Sequence, residues 1–241
     1  VNSSTAATSL AVRFLPVGIY RDPGHAALEA TTMNPALVEA LEGLPAIGIM
    51  RGCPPEHAPA IAAAARDAGL AVLEVTLDSP SPTESIAGLS DRFPDLVVGA
   101  GTVRTTGDVA LAADAGARFV VCPIVSRPVL DACAARGLPC LPGAATPSEI
   151  WSALEWGAAA VKVFPARELG GPAFIRAVRD PLGVPPLVPT GGVGPDDAKA
   201  YLDAGAMAVG VGGSVFPAAA MVAGDATRVG SLAAELVEAI R

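Results

Sequence analysis

The sequence contains two lysines, Lys162 and Lys199. Lys162 stands in Val161-Lys162-Val163-Phe164-Pro165, directly after the apolar run Trp156 to Val161. That setting predicts a place late in a short buried strand. An ammonium held in low dielectric loses hydration, which favours the neutral amine, and a neutral amine can add to a carbonyl and form a Schiff base. The competing reading is a lysine that snorkels from a strand end to water. A second titratable group lies in Val72-Leu73-Glu74-Val75-Thr76. Strand alternation puts Val72, Glu74 and Thr76 on one face and Leu73, Val75 and Leu77 on the other. With the second set against helices, Glu74 points inward, where a carboxylate is costly unless paired or protonated. Lys162 is its natural partner. An amine nucleophile beside a proton-carrying acid suits imine and enamine chemistry. The alternative is a buried ion pair that only fixes register.

Other candidates fall at strand ends. Arg51, next to Gly52, suits a bidentate grip on a carboxylate, or else is a solvated loop arginine. Thr102, Pro123 and Thr190 join the same rim. Gly191-Gly192 and Gly212-Gly213-Ser214 free their backbone N–H groups to approach an anion such as a phosphate. Neither segment contains a lysine or arginine, so dipoles and Ser214 are expected to hold it. His57 reads as solvated, and Trp151 and Trp156 as packing residues. With no H-x-x-H and no Asp/Glu/His cluster, neither a metal nor another cofactor is called for.

A repeating unit of strand, turn, helix and glycine positions these groups. Strands are expected to start near Ala46, Ala71, Leu96, Arg118, Pro139, Ala160, Pro186 and Met207, spaced by 21 to 26 residues. Gly69, Gly116, Gly137, Gly157, Gly183 and Gly205 close the intervening helices. Eight such units predict an α/β fold of the (β/α)8 TIM-barrel type, with reactive side chains at the carboxyl ends of the strands. A doubly wound open sheet is the alternative. Asn34 as N-cap and Pro35 predict an N-terminal helix with Leu37, Val38 and Leu41 inward, and Ser231 to Ile240 reads as a closing helix. Residues 1–33 read as a poorly ordered extension without a secretory signal, with Met33 as a natural start, and 34–241 as one barrel domain.

Composition narrows the class. Half the chain is hydrophobic but 4% is aromatic, so the core is built of Ala, Val, Leu and Ile. A net charge of −8 with no basic cluster argues against nucleic acid and anionic membranes as partners. No uncharged apolar run reaches the roughly 18 to 20 residues that span a bilayer. Cys53, Cys122, Cys133 and Cys140 form no C-x-x-C pair and read as buried thiols, which suits the cytoplasm.

With Glu74, Thr102, Lys162, Thr190 and Ser214 in this order, the chain resembles the class I 2-keto-3-deoxy-6-phosphogluconate aldolases. Their superfamily includes the 4-hydroxy-2-oxoglutarate and 2-keto-3-deoxy-6-phosphogalactonate aldolases. The resemblance spans about residues 34 to 218. It rests on Leu73 to Leu77, Val98 to Val103, Val161 to Ala166, Pro189 to Gly192 and Gly212 to Ser214. It implies a homotrimeric, cofactor-free barrel in which Lys162 forms the Schiff base and Glu74 relays protons. Arg51, Thr102, Pro123 and Thr190 would contact the pyruvate-derived portion, and Gly191, Gly192, Gly213 and Ser214 the phosphate. Cleavage would give pyruvate and glyceraldehyde 3-phosphate. One departure stands out: gluconate-type enzymes carry arginine where this chain has Asp78, followed by Ser79-Pro80. That turn and Ile49 to Gly52 look like the galactonate branch, whereas the two glycine segments look like the gluconate branch. Arg51 is therefore expected to take over the carboxylate, with both epimers open as substrates. More distant readings are a phosphate-binding barrel isomerase or decarboxylase, with Lys162 as acid or charge, and a non-catalytic sugar-phosphate binder.

Overall fold

The computed structural model describes residues 33–241. The expectation for residues 1–33 lies, Met33 apart, outside the described residues. Helix α1 (Pro35–Gly43) starts as its sequence requires. Asn34 Oδ1 accepts the Leu37 N–H at 2.8 Å, and Asn34 Nδ2 donates to the Arg118 carbonyl at 2.9 Å, tying the helix start to a distant part of the chain.

Short strands then alternate with helices. The strands are β1 (Ala46–Met50), β2 (Val72–Thr76), β3 (Val97–Gly101), β4 (Val120–Val121), β5 (Cys140–Leu141), β6 (Gly143–Ala144), β7 (Val161–Val163), β8 (Leu187–Pro189) and β9 (Val209–Val211). The helices that follow α1 are α2 (Ala58–Asp67), α3 (Pro82–Arg92), α4 (Thr106–Asp114), α5 (Arg127–Ala134), α6 (Pro147–Glu155), α7 (Pro172–Arg179), α8 (Pro195–Asp203), α9 (Ala218–Ala223) and α10 (Ala226–Ile240). The expected strand starts hold to within two residues. The closing helix begins five residues earlier than expected because Asp225 caps it through the Arg228 N–H.

Every strand pairing is parallel. One sheet runs β5-β4-β3-β2-β1-β9 and the other β6-β7-β8. The last strand returns beside the first, with Gly48 opposite both Leu73 and Val211. This sequential order excludes the doubly wound sheet, whose strand order reverses about an inner strand. The result is an α/β fold with a curled parallel sheet. Two features complicate the even count. The expected fifth strand is split into β5 and β6 by Pro142, which has no N–H for the ladder, although its carbonyl still accepts the Lys162 N–H at 2.9 Å. Strands β8 and β9 meet through a single bridge, Thr190 to Gly210, and through the Met207 N–H on the Leu187 carbonyl at 2.8 Å.

The two faces of the sheet separate cleanly. Leu73, Val75 and Val98 face outward and join Ile61, Ile86 and Leu89 of the covering helices. Ile47, Val72, Val97, Phe119, Leu141 and Val188 face inward, and Leu37 and Leu41 of α1 join that same cluster. Helix α1 thus covers the amino ends of the strands. Inward glycines make room for large neighbours: a Cβ on Gly99 would stand 2.6 Å from Phe119 Cδ1. All six helix-closing glycines have positive φ, as their spacing predicts.

Candidate active site

Two inward titratable side chains stand on different sheets, one on the six-stranded and one on the three-stranded sheet. Glu74 lies on β2 between Ile49 of β1 and Gly99 of β3. Lys162 lies on β7 between Gly143 of β6 and Val188 of β8. Glu74 is 1% exposed and Lys162 7%, so both are withdrawn from bulk water. The Lys162 Nζ lies 5.1 Å from the centre of the Phe164 ring.

Their relation differs from the expected contact pair. No ion pair joins Glu74 and Lys162 among the described residues. Glu74 Oε1 is buried without a hydrogen-bond partner. Burial pushes the Glu74 carboxyl above its ordinary value; the charges of Lys162 and Arg51 oppose the rise and that of Asp78 adds to it. An acid held up by desolvation, within the field of an amine but not quenched by it, can exchange protons with a bound molecule between them. The space for Glu74 comes from Gly101, where any Cβ would stand 2.5 Å from Glu74 Cγ.

Arg51, expected to await a carboxylate, is already engaged. It pairs with Asp78 and donates from Nη2 to Thr102 Oγ1 at 3.0 Å. The Asp78 turn is itself tethered: Ser79 Oγ accepts the Gly52 N–H at 2.8 Å and lies 3.0 Å from Thr76 Oγ1. The ends of β1, β2 and β3 are thereby held as one rim. Thr102 occupies the left-handed region at φ 58, a conformation costing about 1 kcal/mol for a side-chain-bearing residue. Thr190 is buried after β8; its hydroxyl donates to the Val188 carbonyl at 3.2 Å and occupies the space that Gly210 leaves by lacking a Cβ.

Gly191 (φ 96) and Gly192 (φ 76) need the backbone freedom that glycine supplies, and a Cβ on Gly213 would meet nothing within 4 Å. Ser214 adjoins this loop, but its hydroxyl donates to the Val193 carbonyl at 2.7 Å, so it holds the two glycine segments together. The two glycine segments themselves carry no lysine or arginine, but a cation from a neighbouring loop stands against them. Arg167 lies against Gly192, where a Cβ would stand 2.7 Å from both its Cβ and its Nε, and its N–H donates to the Gly191 carbonyl at 3.1 Å. This cation lies outside the glycine segments in sequence. The available signal was an arginine directly after Phe164-Pro165-Ala166, one strand over.

Pro123 falls beside the main group. Its carbonyl lies against Gly143, and it lines a cavity of about 460 Å³ with Ile124, Ala144, Trp156 and Phe164. His57 is half-buried beside Gly224 instead of solvated. Trp156 packs as expected, under the Arg127 guanidinium at 5.8 Å. The four cysteines are buried free thiols. Among the described residues no group of three or more His, Cys, Asp or Glu is arranged to hold a metal ion, and no helix is long and apolar enough to cross a membrane.

Comparison with known proteins bears on this arrangement. The family model for KDPG and KHG aldolase matches residues 38–232. The chain is 36% identical over 184 residues to the KHG/KDPG aldolase of Escherichia coli (strain K12), covering 76% of this chain and 86% of that protein. It is 35% identical over 200 residues to the 2-dehydro-3-deoxy-6-phosphogalactonate aldolase of the same organism, covering 82% and 95%. Among solved structures it is similar to the KDPG aldolase from Legionella pneumophila with pyruvate captured as a covalent carbinolamine intermediate. That match has 31% identity and a TM-score of 0.76, and covers 82% of this chain and 96% of that one. A buried amine, a raised carboxyl and a glycine-lined rim on a curled parallel sheet agree with this kinship, and the chain belongs to the KDPG and KHG aldolase family of carbon–carbon lyases.

Proposed function

We propose that this aldolase works through a Schiff base on Lys162 and cleaves a phosphorylated 2-keto-3-deoxy sugar acid such as 2-keto-3-deoxy-6-phosphogluconate to pyruvate and glyceraldehyde 3-phosphate. The observation that carries the reading is the burial of Lys162 on the same inner face as Glu74, with glycine and hydroxyl groups at the strand ends around them. The Lys162 nitrogen adds to the C2 carbonyl, and loss of water from the carbinolamine gives the iminium. Glu74 removes the proton of the C4 hydroxyl; the C3–C4 bond breaks, its electron pair passes into the iminium as an enamine, and the aldehyde leaves. Glu74 then returns the proton to C3, and water releases pyruvate and the free amine. A carboxyl raised by burial holds a proton more readily than an exposed one, which suits a group that both takes and returns it.

In this reading Arg51, Thr102 and Thr190 bind the pyruvate-derived portion, and Pro123 borders it. Gly191, Gly192, Gly213 and Ser214 form the phosphate end. Arg51 reaches the substrate carboxylate by exchanging its partner Asp78, a swap available to a half-exposed pair. The curled sheet closes into an eight-stranded barrel, with β5 and β6 counted as one strand and the Thr190 to Gly210 bridge as the seam. The enzyme acts as a homotrimer in the cytoplasm. Apolar side chains at the rim, Ile124 at 53% exposure and Phe164 at 40%, are surface that a second subunit would cover.

The test is turnover of the gluconate and galactonate epimers side by side, with and without a chelator. Pyruvate formed from at least one epimer, undiminished by chelation, is the expected result. Failure on both epimers, or loss of activity to the chelator, would reject the proposal.

A further inference from the structure

The glycine segments after β8 and β9 bring no side-chain charge of their own, and their surroundings are acidic. Asp196 and Asp197 stand in the first turn of α8, and Glu168 follows the β7 end. Asp197 Oδ1 already accepts the Gly194 N–H at 2.9 Å, so the start of α8 is occupied by the chain's own carboxylate. A dianion entering here meets repulsion that backbone dipoles alone must outweigh.

One cation stands against this loop. The Arg167 stem crosses Gly192 so closely that only glycine fits beneath it, and its backbone N–H is fixed to the Gly191 carbonyl. Its side chain is 61% exposed and makes a long pair with Asp197, Nη2 to Oδ2 at 3.4 Å. An exposed pair of that length contributes little, so its fork can be exchanged for phosphate oxygens at small cost. Arg167 also sits on the strand-end loop that follows Lys162, so one segment carries both the amine and this cation.

We propose that Arg167 is the cationic anchor of the phosphate end of the pocket and sets this enzyme's preference for phosphorylated over unphosphorylated keto acids. The proposal deepens the aldolase reading and rests on it for the identity of the substrate. In Arg167→Gln, a lost charge-assisted contact is worth about ten- to a hundredfold in affinity. The experiment measures inorganic phosphate binding by calorimetry, and the ratio of kcat/KM for a 6-phosphorylated 2-keto-3-deoxyhexonate to that for 4-hydroxy-2-oxoglutarate. Both phosphate affinity and the ratio should fall at least tenfold in Arg167→Gln, with Arg167→Lys between it and the wild type. An unchanged ratio, an equal loss on both substrates, or a wild-type chain that does not bind phosphate would overturn the proposal. Failure of the aldolase reading looks different: no catalysis in the wild type, with phosphate binding that still depends on Arg167.

Discussion

Gly101→Ala adds one methyl group at the point where the inner face of β3 meets Glu74. The backbone there tolerates alanine, because Gly101 is not among the residues with positive φ. The obstacle is space. The new Cβ would stand 2.5 Å from Glu74 Cγ, about 0.9 Å inside the 3.4 Å where ordinary contact begins, and closer still to the carboxyl carbon and Oε1. The carboxyl group must retreat by about 1 Å or more, or β3 must move. Overpacking of this kind costs about 1–3 kcal/mol, roughly 2–10 °C in thermal midpoint for a chain of this size. Displacing a proton-carrying group by about 1 Å costs on the order of 100-fold in turnover. The assay is kcat on the phosphorylated substrate, with the thermal midpoint measured alongside. Gly88→Ala is the matched control: it lies on α3, where a Cβ meets nothing within 4 Å, so turnover should hold and stability should rise slightly. Wild-type turnover in Gly101→Ala would refute the claim that Glu74 must occupy that spot.

Two further substitutions probe the electrostatics of the same acid. Glu74→Gln should lower kcat by about 10²–10⁴-fold, the range of general acid–base catalysis, and should also stabilise the chain at neutral pH. The folded pKa of Glu74 is raised from 4.5, so the folded chain binds a proton that the unfolded chain releases. The stability this contributes is present below 4.5 and is lost as pH rises through the folded value. The thermal gain of Glu74→Gln should therefore be absent below 4.5 and grow above it; a gain independent of pH would contradict the assignment. Asp78→Asn removes a charge that raises the Glu74 pKa. The acid limb of the kcat profile should move to lower pH, and a limb that stays put or moves up would show that Asp78 does not act on Glu74.

Much of this was legible in the residues because strands and helices have fixed periods. The alternation of Val72, Glu74 and Thr76 against Leu73 and Val75 predicted which face of β2 would be buried inside, and the glycine spacing predicted the helix ends. What sequence order does not carry is the partnering of side chains across the rim. Arg51 and Asp78 lie 27 positions apart, and their pairing follows from the adjacency of β1 and β2 and from the Ser79 tether to Gly52. Asp78, marked in the sequence as a departure from gluconate-type enzymes, thus gains a role as the resident partner of Arg51. Arg167 is hidden for the same reason: its closeness to Gly192 is a contact between the ends of neighbouring strands. The lack of an ion pair between Glu74 and Lys162 was equally hidden. The two stand on different sheets, and whether they touch depends on how those sheets curl.

Borohydride reduction in the presence of pyruvate, followed by peptide mass spectrometry, asks whether Lys162 is the nucleophile. A reduced pyruvate adduct is expected on Lys162, with none on Lys199 and activity lost in proportion to modification. An unmodified Lys162 in a chain that remains fully active after reduction would contradict it.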